Sequence, residues 1–191
     1  MQQTILAIES SCDETAAAIF TTTMGVRSSV LFSQIDLHKQ YGGVVPEIAS
    51  RSHIEKINGI VQGALDEAQC TLADITAIAV TNRPGLPGSL LVGLCFAKAI
   101  AYARNIKLIG VDHIEGHIAS AFIENQVPFP HLCLTVSGGH TSIYYVLSFV
   151  GIDKFCFWSY LIGGHIIALT AAAITYPLVK RAWARSAKAK N

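Results

Sequence analysis

Charged residues are scarce in this sequence. Asp, Glu, Lys and Arg make up 14% of its 191 residues, whereas hydrophobic residues make up 51%. So much apolar material excludes a disordered chain, and the length is enough for one domain with a core or for two small lobes. Clustered basic charge is missing outside the last twelve residues, which hold Lys180, Arg181, Arg185, Lys188 and Lys190. The rest of the chain therefore does not predict a nucleic-acid surface, because phosphate binding needs clustered Lys and Arg.

Paired cysteine motifs are absent as well. The five cysteines are widely spaced and form no CxxC motif; they are Cys12, Cys70, Cys95, Cys133 and Cys156. The first apolar run begins at residue 4, so no secretory signal peptide is expected before it. An odd number of scattered cysteines in that context predicts reduced thiols in a cytoplasmic protein.

Apolar runs separated by polar turns predict the strands of the fold. The runs lie at 4–9, 16–20, 26–34, 74–81, 107–112, 131–136 and 142–147. The first two flank the polar turn at 10–15 and predict a hairpin. The last two flank the turn at 137–141 and repeat this pattern about one lobe later, which indicates a duplicated fold with a cleft between its lobes.

Three segments, at 46–69, 89–104 and 113–125, predict helices. Pro46 opens the first, and its 3–4 spacing predicts a buried stripe made of Ile54, Ile57, Ile60, Val61, Ala64, Leu65 and Ala68. The second is apolar nearly all round and is therefore predicted to be buried. His38 and His53 are interpreted as surface residues.

The order of these elements, β-β-β-α-β-α-β-α, fits an α/β fold. It predicts a ribonuclease-H-like lobe, in which three antiparallel strands are extended by parallel ones. Three regions follow from this interpretation: a first lobe at 1–130, the start of a second lobe at 131–147, and an apolar tail with a basic end at 148–191.

Two histidines stand one helical turn apart in the sequence Gly110-Val-Asp-His-Ile-Glu-Gly-His117. One turn of an α-helix takes about 3.6 residues, so His113 and His117 project from the same face and can share one ion. Zinc-type sites need three or four protein ligands, and this pair supplies two. The pattern by itself leaves open whether the pair binds a metal or is two polar residues at a helix start.

Six motifs, in order along residues 4–147, resemble the tRNA threonylcarbamoyladenosine transferase family. They are Ile8-Glu-Ser-Ser-Cys-Asp-Glu-Thr15, Tyr41-Gly-Gly-Val-Val-Pro-Glu-Ile-Ala-Ser-Arg51, Pro84-Gly-Leu86, Gly88-Ser-Leu-Leu-Val-Gly93, Asp112-His-Ile-Glu-Gly-His117 and Val136-Ser-Gly-Gly-His-Thr141. The resemblance implies the two-lobed actin-like fold, of which this chain would carry the first lobe and the opening hairpin of the second. It also implies transfer of a threonylcarbamoyl group from threonylcarbamoyl-AMP to N6 of adenosine 37 in tRNAs that read ANN codons.

The resemblance also implies roles for particular residues. His113 and His117 match the family's helix-borne ligands for a divalent metal ion, iron or zinc. The stretch that binds the adenylate substrate matches Thr135, Val136, Ser137, Gly138 and Gly139. The first phosphate-facing loop matches the turn that contains Ser10, Ser11, Asp13 and Glu14. The expected partners are a smaller paralogous subunit, which would pair through helices such as 46–69, and tRNA bound through a complex.

The residue types agree with acyl transfer and disagree with proteolysis, an activity once assigned to this family. A metal ion and backbone N–H groups can stabilise the charge that develops during acyl transfer, and the tRNA amine is itself the nucleophile. Metalloproteases of the HExxH class carry their general base directly after the first histidine. Here Glu115 lies two residues on, which turns it roughly 200° around the helix from His113.

Several residues near these motifs have more than one interpretation. Glu9, Asp13 and Glu14 could form only a solvated turn. Asp112 is either a partner of the neighbouring imidazole or a strand-end residue. Arg83 departs from the family, which usually has a small residue before Pro-Gly-Leu. His140 is interpreted as a hydrogen-bonding turn residue.

The resemblance ends at about Leu147, and the family's later substrate-binding helix and third metal ligand do not occur in the sequence. Residues 155–179 instead form a run without a charge, followed by the basic cluster. Three interpretations compete: a frameshift or truncation, a transmembrane anchor, and a helix that covers the exposed lobe. Impaired catalysis is expected, and the alternative is an inactive, possibly membrane-tethered lobe that binds the family's partner.

Overall fold

A five-stranded mixed sheet organises the first part of the chain. The computed structural model describes residues 2–123, 125–136 and 141–146. The strands are β1 (Thr4–Glu9), β2 (Glu14–Thr21), β3 (Gly25–Ser33), β4 (Ala77–Arg83) and β5 (Lys107–Asp112), in the spatial order β3-β2-β1-β4-β5. β2 is antiparallel to both β1 and β3, whereas β4 is parallel to β1 and to β5. This confirms the predicted α/β class and the extension of an antiparallel hairpin by parallel strands.

Four helices accompany the sheet: α1 (Ile35–Lys39), α2 (Pro46–Glu67), α3 (Pro87–Arg104) and α4 (His113–Ser120). A proline occupies the first turn of α2 and of α3, where its missing N–H costs no helical hydrogen bond. α2 packs against β2 and β3, and α3 packs against β4 and α2. Strand residues at alternate positions point to the helices, and together they form a core that includes Leu6, Ile8, Ala17, Ile19, Ile57, Val61, Ala64, Leu65, Ile78, Val80, Ala97 and Ala101.

Two element boundaries differ from those predicted. The fourth strand was expected from residue 74, but Leu72–Asp74 form a 3₁₀ turn because the Thr71 and Asp74 side chains cap its start reciprocally. The last helix was expected to reach residue 125, but it ends at Ser120. There the Ser120 hydroxyl donates to the His117 carbonyl at 2.7 Å, a side-chain bond that competes with continuation of the helix.

The prediction that the second helix is buried all round was wrong. α3 buries one stripe of small residues at four-residue spacing: Ser89, Gly93, Ala97 and Ala101. Val92, Leu94, Phe96 and Ile100 beside this stripe are partly buried against the core, whereas the far face meets solvent and the Tyr102 side chain is 91% exposed. Small residues let the helix approach β1 and β4 closely, and the apolar composition alone could not indicate which face would do so.

The predicted surface positions of His38 and His53 were also wrong. The structure buries both side chains, and His53 has no exposed surface. Ile54, which was assigned to the buried stripe of α2, is 64% exposed. The buried stripe is therefore shifted by one residue near this point, because the His53 ring finds polar partners inside the fold.

Stability of the protein should fall as the pH drops through the ordinary pKa of histidine, 6.5, because of His53. Burial lowers the pKa of His53 and outweighs the Cys12 carbonyl and the carboxylates of Glu9 and Asp13, which raise it. In this pH range His53 binds a proton in the unfolded chain but stays neutral in the folded chain, so acid favours unfolding. Denaturant unfolding from about pH 8 to about pH 5 should show a smaller loss for His53→Gln than for the wild type. Equal losses would contradict the assignment.

The second compact unit of the chain starts at Gln126, after a first unit that ends at Asn125. Its described part contains the antiparallel hairpin of β6 (His131–Val136) and β7 (Thr141–Val146), as predicted. Among the described residues, no helix has the length and apolar character needed to cross a bilayer. The interpretations of residues 148–191, including the apolar run at 155–179, lie outside the described residues.

Candidate metal-binding site

The two histidines of the HxxxH motif lie at the start of α4, directly after β5. Asp112 caps this helix, since its Oδ1 accepts hydrogen bonds from the N–H groups of Ile114 at 2.9 Å and Glu115 at 3.3 Å. Ile114 is buried, as is Ile118 on the following turn. The cap and these apolar anchors fix the rotation of the helix, so His113 and His117 share its other side.

The imidazole rings of His113 and His117 face each other at close range. Their Nε2 atoms lie 3.0 Å apart, and their ring planes are inclined by 78°. Two nitrogens bound to one ion at about 2.1 Å would be separated by about 3.0 Å at a right angle and about 3.4 Å at the tetrahedral angle. The observed separation therefore lets one ion bind both nitrogens, and it also allows an N–H···N hydrogen bond between the rings.

Glu9 and Ser11 hold the other nitrogen of the His113 ring. Nδ1 lies 3.3 Å from Oε2 of Glu9 and 3.1 Å from Oγ of Ser11. A carboxylate can only accept, so the hydrogen bond to Glu9 requires the proton on Nδ1. The lone pair is then on Nε2, where a metal ion would need it. The sequence alone left open whether Glu9 forms only part of a solvated turn.

The electrostatics of the site keep the Glu9 carboxylate ionised. Burial acts to raise the pKa of Glu9, but hydrogen bonds from His113, Ser11 and Thr81 outweigh it and lower the pKa from 4.5 to about 2. The hydrogen bond to Glu9 in turn raises the pKa of His113, against the opposing effect of burial. Glu9 is thus ionised at neutral pH and favours a proton on the imidazole nitrogen that faces it.

The same geometry argues against a nucleophilic enzyme at this position. A Ser-His-acid triad needs the serine and the acid on opposite ring nitrogens, whereas Ser11 and Glu9 both meet Nδ1 of His113. The nearby Cys12 thiol is no better, since burial and then the neighbouring Asp13 raise its pKa to about 11. It is therefore protonated at neutral pH, and a protonated thiol is a poor nucleophile.

The donor set of the pair fits a divalent ion of the zinc or iron type. Neutral imidazoles suit both metals, and a carboxylate on the outer ring nitrogen is the usual support for such ligands. Within residues 2–123, 125–136 and 141–146, no group of three or more His, Cys, Asp or Glu side chains is placed to hold an ion. The described residues would thus offer an ion two nitrogen donors with their orienting partner, and further donors would have to come from elsewhere.

The turn between β1 and β2 meets the histidine pair through Ser11. The Ser10 and Ser11 side chains are buried: Ser10 donates to the Ser89 carbonyl at 2.9 Å, and Ser11 contacts His113. Asp13 is half-buried and Glu14 is exposed. The structure therefore brings the predicted phosphate-facing turn and the predicted metal ligands together on one side of the sheet's carboxyl edge.

The predicted adenylate-binding stretch lies in the second unit. Thr135 and Val136 end β6. Ser137, Gly138 and Gly139, like His140, lie outside the described residues, so the role of the stretch stays a prediction.

Three polar residues in or near the start of α4, Asp112, Glu115 and Arg83, interact with the helix or with one another. Asp112 caps the helix and also lies 3.4 Å from Nε of the exposed Arg83. Burial raises the pKa of Glu115, and the charge of Asp112 adds to this effect while Arg83 opposes it. The partner of the His113 ring is thus Glu9 and not its chain neighbour Asp112. A usable signal existed in the sequence, because Glu9 ends a central strand of the sheet, where α/β folds commonly place ligand-binding groups.

Fold and site together define a mixed α/β protein with a carboxylate-supported histidine pair at the carboxyl edge of its parallel strands. The sequence profile of tRNA N6-adenosine threonylcarbamoyltransferases matches residues 25–156. The protein of that name from Clostridium kluyveri is 59% identical over 143 residues, which cover 74% of this chain and 42% of that protein. The one from Syntrophomonas wolfei is 58% identical over 140 residues, covering 73% and 41%.

The chain belongs to the tRNA N6-adenosine threonylcarbamoyltransferase family, which confirms the resemblance inferred from its motifs. It spans about two fifths of the length of the curated relatives it matches. Among solved structures, YeaZ from Pseudomonas aeruginosa aligns with a TM-score of 0.49 at 16% identity, covering 83% of this chain and 78% of that one.

Proposed function

We propose that this chain provides the metal-binding part of a threonylcarbamoyl transferase. The reaction moves a threonylcarbamoyl group from threonylcarbamoyl-AMP to N6 of adenosine 37 in tRNAs that read ANN codons. The observation that carries the proposal is the 3.0 Å approach of the His113 and His117 Nε2 atoms, with Glu9 on the outer nitrogen. Family membership supplies the reaction, and the name of the relatives supports it.

In this proposal the residues of the site have separate roles. His113 and His117 hold one divalent ion, iron or zinc, and Glu9 holds the proton of the neutral His113 ring on Nδ1, which leaves the lone pair of Nε2 for the ion. When bound, the ion would act as a Lewis acid toward the carbamoyl and phosphate oxygens. The β1–β2 turn, through Ser10, Ser11, Asp13 and Glu14, faces the phosphate of the adenylate, and the stretch 135–139 binds the adenylate itself. No nucleophilic side chain is needed, because the tRNA amine attacks.

The proposed setting is that of the whole family. The described five-stranded unit corresponds to the first lobe of an actin-like fold, and the β6–β7 hairpin corresponds to the start of the second. A smaller paralogous subunit is the proposed protein partner, and tRNA would bind to the resulting complex in the cytoplasm. This chain on its own should be a slow catalyst, because the described residues supply two ligands of a site that needs at least three.

The proposal is tested by metal binding and transfer together. The purified full chain, stripped with a chelator and dialysed against Zn²⁺ or anaerobic Fe²⁺, should retain about one ion per chain. Given threonylcarbamoyl-AMP and an ANN-decoding tRNA transcript, it should form the modified nucleoside slowly and only when loaded with metal. A transcript with guanosine at position 37 is the matched control.

Two results would count against the proposal in different ways. A chain that retains no ion would overturn the metal site itself. A chain that retains the ion but modifies neither transcript would overturn transfer, and would favour an inactive lobe that binds the family's partner.

A further inference from the structure

The carbonyl groups of the β1–β2 turn are held by hydrogen bonds from other elements of the fold. The Ser11 carbonyl accepts from the Leu86 N–H, just before α3, at 2.7 Å, and the Asp13 carbonyl accepts from the Gln34 N–H, just after β3, at 3.0 Å. The carbonyl between them, that of Cys12, accepts from Nε2 of His53 on α2 at 3.1 Å and, at a longer 3.3 Å, from the Ser89 hydroxyl on α3. A turn of this kind would be mobile if it were not tied to the fold, so these contacts decide its conformation.

His53 can hold the turn because both of its ring nitrogens have hydrogen-bond partners. Its ring has no exposed surface, and its second nitrogen, Nδ1, lies 2.8 Å from Oγ1 of the buried Thr15. Because a carbonyl can only accept, Nε2 carries the proton, and Nδ1 accepts the Thr15 hydroxyl proton in the neutral ring. One imidazole therefore joins the middle of the turn and the start of β2 to α2.

The hydrogen bond to Cys12 also sets the direction of a backbone N–H. The peptide unit is planar and trans, so its N–H points opposite to its C=O. With the Cys12 carbonyl drawn toward α2, the N–H of Asp13 points away from α2. A turn expected to face a phosphate needs N–H groups turned outward in this way.

The same turn is directly linked to the residues that contact His113. Glu9 accepts the Ser11 N–H, and both Glu9 and Ser11 contact Nδ1 of His113. A rotation of the Cys12–Asp13 peptide would change the backbone torsion at Cys12, which directly follows Ser11, and would thereby shift Ser11 and the His113 ring that it contacts.

We propose that His53 is a positioning residue, which sets the Cys12–Asp13 peptide plane and thereby the contacts of Ser11 and Glu9 with His113. The inference rests on the proposed function where it concerns metal binding, whereas the effect of His53 on the conformation of the turn is independent of that function. His53 touches no reacting group; it acts through the backbone of the turn.

Three variants of the full chain separate this role from simple space filling. His53→Phe keeps the ring volume and removes both hydrogen bonds. His53→Gln places an amide donor near the position of Nε2 and should restore the bond to the Cys12 carbonyl. Thr15→Val removes only the bond at Nδ1 and is the matched control for loss of buried polarity.

The readouts are the absorption spectrum and affinity of bound Co²⁺ and the amide hydrogen exchange of residues 11–14, measured where every variant is folded. His53→Phe should weaken Co²⁺ binding about tenfold, alter the spectrum and speed exchange at Asp13. His53→Gln should recover to within about threefold of the wild type, and Thr15→Val should change thermal stability more than Co²⁺ affinity.

The outcomes distinguish the two proposals. If the wild type binds no Co²⁺, the proposed metal site fails, and the exchange rates alone decide the role of His53. If a folded His53→Phe variant shows wild-type exchange at Asp13, the positioning role is overturned. Equal effects of His53→Phe and His53→Gln would overturn it as well, because the donor would then be irrelevant.

Discussion

Replacing His117 with alanine should sharply weaken metal binding while the fold stays intact. His117 is exposed on α4, so its removal should change the free energy of unfolding by no more than about 0.5 kcal/mol. Loss of one of two described ligands should lower the affinity for Zn²⁺ at least about 100-fold, since even outer partners of metal ligands are worth 10- to 100-fold. Calorimetric titration against a competing chelator measures this, beside thermal unfolding of the same samples.

Two matched variants sharpen the His117 experiment. His131→Ala removes a histidine of the second unit that is not a proposed ligand, and it should bind Zn²⁺ like the wild type. Glu9→Gln should fall between the two, because a neutral amide supports the His113 ring less strongly than a carboxylate does. Wild-type affinity in a folded His117→Ala variant would rule out the histidine pair as the site.

Gly93→Ala and Gly59→Ala should change stability in opposite directions, although both replace a glycine inside a helix. A methyl group on Gly93 would overlap the Ser10 hydroxyl, which is buried and donates to the Ser89 carbonyl. Overpacking costs about 1–3 kcal/mol, which exceeds the gain from the better helix propensity of alanine. At Gly59 a methyl group meets no atom within 4 Å, so alanine should stabilise by about 1 kcal/mol.

Denaturant unfolding of the two glycine variants gives the comparison directly. The pair should differ by roughly 1–3 kcal/mol in the free energy of unfolding, because the helix-propensity gain is common to both and the overpacking cost is not. Because Gly93 packs on the β1–β2 turn, Gly93→Ala should also weaken Zn²⁺ binding. Equal stabilisation by both substitutions would show that α3 does not approach Ser10 as closely as the structure indicates.

Sequence patterns predicted the elements that depend on interactions between neighbouring residues. The short apolar run in Thr4–Glu9, which ends in a polar turn, and the proline at position 46 are sufficient to predict β1 and the start of α2, since both signals act within a few residues. The four-residue spacing of His113 and His117 likewise predicts their convergence, because the helix period alone brings them to one face.

The errors arose where distant contacts outweigh local pattern. His53 looks like a surface residue in a helical stripe, yet it is buried because Thr15 and the Cys12 carbonyl, about forty positions earlier, satisfy both ring nitrogens. α3 looks buried on all sides, yet only its stripe of small residues is fully buried, and Leu91 and Tyr102 are exposed. The burial of a residue depends on which distant elements pack against it, and the hydropathy of its own segment does not contain that information.

The sequence by itself determined the family, the α/β order of elements and the pair of imidazoles, because motifs and periodicity are properties of neighbouring residues. Only the tertiary structure decided that Glu9 serves as the support of His113 and that His53 holds the turn beside it. These contacts join residues 104 and 41 positions apart, and their strength comes from burial and from geometry that exist only once β1, α2 and α4 have packed together.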